Sequence, residues 1–117
     1  MNPFSAEVRD HSSIPVIGLH GQLDSKADAA LQAAAKEAMR GDVAAILLDF
    51  LGVDYMNSTG IALIVGLLAQ ARTQQVAVLV CGLSEHYQHI FEITRLADFM
   101  QFFPDEEAAV VGSRSAV

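Results

Sequence analysis

Two short runs, residues 43–50 (VAAILLDF) and 76–81 (VAVLVC), constrain the fold more than anything else in the chain, because nearly every position in them is apolar. A strand that is apolar on both faces needs cover on both faces, which is the condition of a strand inside an α/β sheet. Between the two runs, residues 58–74 read as a helix, so residues 43–81 predict a βαβ unit with parallel strands. The first run is bounded by Gly41 and Gly52 and is expected at the centre of the sheet. A length of 117 residues, 52% of them apolar, suffices for one core and one domain.

The rest of the chain is read around this unit. Residues 4–9 alternate apolar and polar side chains, a turn follows at residues 10–13, and residues 14–20 form a second strand, so the start is a β-hairpin. Residues 27–39 are rich in strong helix formers, with Asp24 or Ser25 as N-cap and Gly41 as the stop signal. The stripe Leu31, Ala34, Ala35, Ala38 and Met39 gives that helix one apolar face. Ser84 caps a shorter helix to about residue 93, residues 99–103 form a brief apolar segment, and Pro104-Asp105 opens a last helix expected to fade near Gly112. The predicted order is ββαβαβαβα in one domain over residues 1–111, with residues 112–117 as a flexible tail.

Charge and cysteine content narrow the function. Seven Lys and Arg against fourteen Asp and Glu leave a formal charge of −7, which argues against nucleic acid as a partner. A lone cysteine forms no internal disulfide, and Met1-Asn2-Pro3-Phe4-Ser5 lacks the basic-then-apolar plan of a secretory signal, so a cytoplasmic protein is expected. The most apolar stretch, residues 61–71, ends at Arg72, well short of the roughly twenty residues that cross a bilayer. No membrane partner is expected.

The segment with the most chemistry is Asn57-Ser58-Thr59-Gly60, where a buried strand passes into a helix. Asn57 is placed to cap the helix, leaving Ser58 and Thr59 in a first turn whose free N–H groups and dipole favour negative charge. A plain cap and an anion-accepting helix start look alike at this level. On a helical wheel, Ile61, Ile64, Val65, Leu68 and Ala71 make the core stripe, and Leu63 points away from it. With Thr59, Ala62 and Gly66 on its side and Leu67 at the margin, Leu63 is expected on an exposed apolar patch beside Ser58, suited to protein contact.

These residues carry a resemblance. Gly21-Gln22-Leu23-Asp24 is similar to the Gly-x-Leu-Asp of the STAS family, Leu48-Asp49-Phe50-Leu51-Gly52-Val53 to its Leu-Asp-Leu-x-x-Val, and Tyr55-Met56-Asn57-Ser58-Thr59-Gly60 to its Phe-Met-Asp-Ser-(Ser/Thr)-Gly. Ser84 through Phe91 and Ile93-Thr94-Arg95-Leu96 resemble the family's later helix and the segment after it. Within the family the chain looks like the bacterial anti-sigma factor antagonists. The resemblance implies a single mixed central sheet packed by about four helices. It implies partner switching, in which the unphosphorylated antagonist binds an anti-sigma factor with a serine kinase fold and releases sigma, the kinase phosphorylates the antagonist, and a protein phosphatase resets it. By motif position the acceptor is Ser58, with Thr59 second. The partner surface is then Asp24, Asn57, Ser58, Thr59, Ala62, Leu63 and Gly66. The protein itself needs no cofactor, since ATP belongs to the partner kinase. The sequence departs from the motif at Asn57, which keeps the cap but removes the family's carboxylate. A second reading inside the family is a STAS module of a larger signalling scaffold, a transporter-associated complex or a ligand sensor, without a phosphorylation cycle.

Catalysis and metal binding are disfavoured. Residues 52–59 have the length of a phosphate-binding loop but lack its second Gly and its Lys, and Ser58 lacks the glycines of a nucleophile elbow. Asp49 and Asp54 read as caps or solvated charges. His86 and His89 are three apart on one helix with no third ligand at an interpretable spacing, and His11 and His20 do not supply one. Cys81, Met39, Met56 and Met100 read as core.

Overall fold

The computed structural model describes residues 2–115. Its elements are β1 (Ser5–His11), β2 (Ile14–Leu23), α1 (Asp28–Ala38), β3 (Ala45–Met56), α2 (Ser58–Thr73), β4 (Ala77–Cys81), α3 (Glu85–Ile93), β5 (Gln101–Phe103) and α4 (Glu106–Ser115). Short 3-10 turns at Ser25–Ala27 and Leu96–Phe99 precede α1 and β5. The order is the ββαβαβαβα expected. The five strands lie in sequence order across one mixed sheet, with β1 antiparallel to β2 and every later pair parallel.

The run at residues 43–50 is indeed central, and its two-sided apolar character has a direct cause. Ile46, Leu48 and Phe50 face one side of the sheet with Ile17, Leu19, Val78 and Val80, under α1, α2 and α3. Leu47 faces the other side with Val16, Leu79 and Cys81, under Ala109 and Val110 of α4. Phe50 meets Phe91 of α3 edge to face, 6.2 Å between ring centroids, tying that helix to the central strand. Met39, Met56 and Met100 are buried, as is Cys81, whose thiol is pushed up to about 12, first by burial and then by the nearby Asp49 carboxylate.

Several boundaries differ from the sequence reading. Strand β3 continues past residue 50 to Met56, because β2 keeps pairing with it through two register shifts as far as Leu23↔Met56. Along the extension Met56 stays in the core under the helices, while Leu51 and Tyr55 are exposed. Helix α4 does not fade at Gly112: it runs to Ser115, so residues 112–115 are helix where a tail was expected, and residues 116–117 lie outside the described part. Gly112 is no stop signal. A Cβ there would lie 2.3 Å from the Phe103 ring, so the glycine lets the helix pack on β5. The hairpin turn falls on Ser12 and Ser13, both with positive φ (53° and 71°), and the Asp10 carboxylate accepts from Ser13 N at 3.2 Å.

A cluster of charges fastens α4 to the edge of the sheet. Arg9 on β1 bridges Glu106 at 2.6 Å and Asp49 on β3 at 3.2 Å, while His11 contacts both Glu106 and Glu107. The Arg9 hydrogen bond, followed by that of His11, holds the Glu106 carboxyl down at about 2. The same hydrogen bond to Glu106 raises His11 above its ordinary range. Among the described residues, no helix is long and apolar enough to cross a membrane.

Candidate functional site

The register Leu23↔Met56 sets the site, because it brings the ends of β2 and β3 together. Asp24 and Asn57, the next residue on each strand, therefore leave the sheet side by side. Asn57 N donates to Leu23 O at 3.3 Å, which extends the pairing one residue beyond the strands. Asn57 then turns extended (φ −101°, ψ −179°), and its Oδ1 accepts from Gly60 N at 2.8 Å, the side-chain cap anticipated from sequence. Its own carbonyl accepts from Ile61 N at 3.0 Å and starts the helix. Asp24 caps the 3-10 turn opposite, accepting from Lys26 N at 2.9 Å. α1 consequently starts at Asp28, one turn beyond that cap.

Gly60 is the residue that permits this arrangement. A Cβ at its position would lie 1.8 Å from Leu23 O, inside any allowed contact, so the first turn of α2 rests directly on the end of β2. Ser58 and Thr59 are pushed outward, with exposed side chains. The caps use the amides of Gly60 and Ile61, and among the described residues the amides of Ser58 and Thr59 have no protein partner. Two free N–H groups and the positive end of a 16-residue helix thus surround an exposed hydroxyl.

Tyr87 on α3 locks the site from below, and the sequence reading did not single it out. Met56 N donates to the Tyr87 hydroxyl at 2.9 Å, and that hydroxyl donates to Met56 O at 3.3 Å. Both backbone groups just before Asn57 are thereby satisfied in a part-buried place. A signal exists in the sequence: Tyr87, Ile90 and Phe91 share the inward face of α3, and an inward tyrosine must find a partner for its hydroxyl.

The expected partner face requires one correction. Asp24 is partly buried, and Ser58, Thr59, Ala62 and Gly66 are exposed, but Leu63 is not on an exposed patch. It is half-buried and packed on the core, in a crevice shared with Leu31 and Ala35 of α1. Leu67, placed at the margin by the wheel, is 4% exposed, and Val65, placed in the core stripe, is 43% exposed. The wheel allowed α2 a single contact face, the one on the sheet. α1 lies alongside and supplies a second, which rotates the buried arc toward Leu63 and Leu67. The outward stripe is therefore Ser58, Ala62, Val65 and Ala69, with Gly66 beside it.

The carboxylates and histidines are distributed rather than convergent. Asp49 receives Arg9 and Leu51 N, and Asp54 receives Asn2 Nδ2 at 2.8 Å. His11 pairs with Glu106 and Glu107, His20 with Glu7, and His86 stacks edge-on against Tyr87. Among the described residues, no three His, Cys, Asp or Glu side chains are grouped to hold a metal ion.

The STAS domain model matches residues 5–109, which spans both halves of the site and nearly all of the sheet and its helices. The chain belongs to the STAS family. In sequence it is 37% identical over 54 residues to an anti-sigma-B factor antagonist of Listeria monocytogenes, covering 46% of this chain and 47% of that protein. The chain thus spans about half the length of the curated relatives it matches. In structure it is similar to the anti-sigma factor antagonist SpoIIAA in its unphosphorylated form, with a TM-score of 0.71 and 20% identity over 98% of this chain and 100% of that one. It is also similar to Bacillus SpoIIAA in the phosphorylated form, with a TM-score of 0.66 and 25% identity over 91% and 96%. The STAS domain accordingly supplies the mixed sheet, and the Asn57-Ser58-Thr59 turn sits at the mouth of its β3–α2 connection.

Proposed function

We propose that this STAS protein is an anti-sigma factor antagonist that binds a kinase-fold anti-sigma factor through the start and outward stripe of α2, and that phosphorylation of Ser58 switches it off. The observation that carries the reading is the exposed Ser58 hydroxyl on a side-chain-capped helix start with two unpartnered amides. Relatives named as anti-sigma-B factor antagonists and a fold neighbour known in a phosphorylated form support it.

In the reaction, the Ser58 hydroxyl oxygen attacks the γ-phosphorus of ATP held by the partner. The bond to the β-phosphate oxygen breaks, ADP leaves, and the hydroxyl proton passes to a base of the kinase. The antagonist contributes a rigid, outward nucleophile and no catalytic group. The added charge of about −1.5 to −2 then lies within a surface shaped for a hydroxyl. A separate phosphatase restores Ser58 by hydrolysis.

The test is to isolate the kinase-fold protein that co-purifies with the chain from its native cell and incubate the two with ATP. The expected result is one phosphate, mapped to Ser58 by tandem mass spectrometry and absent from Ser58→Ala. Transfer to Thr59 in that variant would make the acceptor assignment wrong, and a co-purifying scaffold or transporter with no phosphate on the chain would favour the non-cycling STAS module.

A further inference from the structure

The outward stripe of α2 leads from Ser58 to a cleft whose near wall it forms with Val65 and Ala69. The cleft lies between the second half of α2, the start of β4 and the 3-10 turn Leu96–Phe99, and holds about 620 Å³, within the range of small-molecule sites. Its floor is Leu68, Val76, Val78 and Met100, whose residual exposures of 7%, 7%, 5% and 8% open onto it. Phe99, exposed by 53%, forms one wall.

The cleft's two charged lining residues, Arg72 and Asp98, are differently engaged. Asp98 lines it but is engaged by Arg95, Nε to Oδ2 at 2.8 Å. Arg72 also lines it, lies 5.3 Å over the Phe99 ring, and has no carboxylate partner among the described residues. On a chain of formal charge −7, a guanidinium left without an acid beside an apolar cleft is the complement of an anion with an apolar body. We propose that this cleft is a binding site for a small apolar monocarboxylate, its chain on Leu68, Val76, Val78 and Met100 and its carboxylate on Arg72. The site is about 20 Å along α2 from Ser58 and does not depend on the phosphorylation reading.

Decanoate below its micelle concentration is the probe, with decanol as its uncharged counterpart, each titrated into the uniformly ¹⁵N-labelled full chain and followed by amide chemical shifts. Saturable shifts at Val65, Val76 and Met100 are expected, with decanoate bound roughly tenfold more tightly than decanol. Arg72→Gln removes that preference and leaves decanol binding in place. Ala69→Phe, at an exposed position on the cleft wall, abolishes both without unfolding the chain. Absence of saturable shifts, equal binding of acid and alcohol to the wild type, or binding that survives Ala69→Phe would overturn the proposal.

Discussion

Gly60 and Leu63 carry the two sharpest tests at the scale of single residues. Because a Cβ at Gly60 would sit 1.8 Å from backbone, which cannot swing aside as a side chain can, Gly60→Ala must lift α2 off β2 and loosen the Asn57 cap. The expected cost is about 3 kcal/mol, read by urea denaturation, and an unchanged midpoint would contradict the close approach. Leu63→Glu puts a charge into the α1–α2 crevice and is expected to cost about 2 kcal/mol, where an exposed leucine would have cost almost nothing. Val65→Glu, on the outward stripe, leaves the denaturation midpoint nearly unchanged and is the better probe of partner contact. Asn57 shows what survives when a motif residue changes: its amide oxygen makes the cap that a carboxylate would make, so the helix start is kept without the charge.

At the scale of elements, the latch between β1 and α4 predicts a pH dependence. Glu106 has a folded-state pKa below its ordinary 4.5, so its contribution is present above that value and is lost as the pH falls toward about 2. His11 is shifted the other way, above its ordinary 6.5, so its contribution is present below 6.5 and is lost as the pH rises through the raised value. Arg9, Asp49 and Glu107 complete the charges facing the pair. The Tm difference between wild type and Glu106→Gln is therefore expected to be largest between about pH 4.5 and 6.5 and smaller on either side, measured by thermal melts across pH. A difference constant from pH 3 to 9 would show that the latch does not form. Most elements were legible in the sequence for physical reasons: strands buried on both faces are apolar throughout, and capped helices announce their starts. The second face of α2 was not, since a wheel holds no information about α1 lying alongside. Gly112 misled because a glycine that stops a helix and one that lets it pack on an aromatic ring are the same letter. Tyr87 was missed because its partner, the backbone of Met56, is 31 residues away in the chain.

At the scale of the whole molecule, the fold separates what holds the site from what the site presents. The Asn57 cap, Gly60 and Tyr87 bind the end of β3 and the start of α2 into the rigid layer, while the Ser58 hydroxyl and amide have no internal partner among the described residues. A phosphate on Ser58 would meet the free amides and the positive end of α2, so the isolated chain has no reason to unfold. On the proposed switch, the same charge would have to be desolvated against a partner surface shaped for a hydroxyl, without a counter-charge, at a cost of several kcal/mol. The most direct test is to measure, on the same samples, the Tm of Ser58→Asp, Ser58→Ala and wild type and their affinities for the co-purified anti-sigma factor by calorimetry. The expected result is a Tm shared by all three, binding retained by Ser58→Ala, and affinity lowered by about a hundredfold or more in Ser58→Asp. Wild-type affinity in Ser58→Asp, or a loss of binding explained by a collapsed Tm, would contradict a switch that acts at the surface of an intact fold.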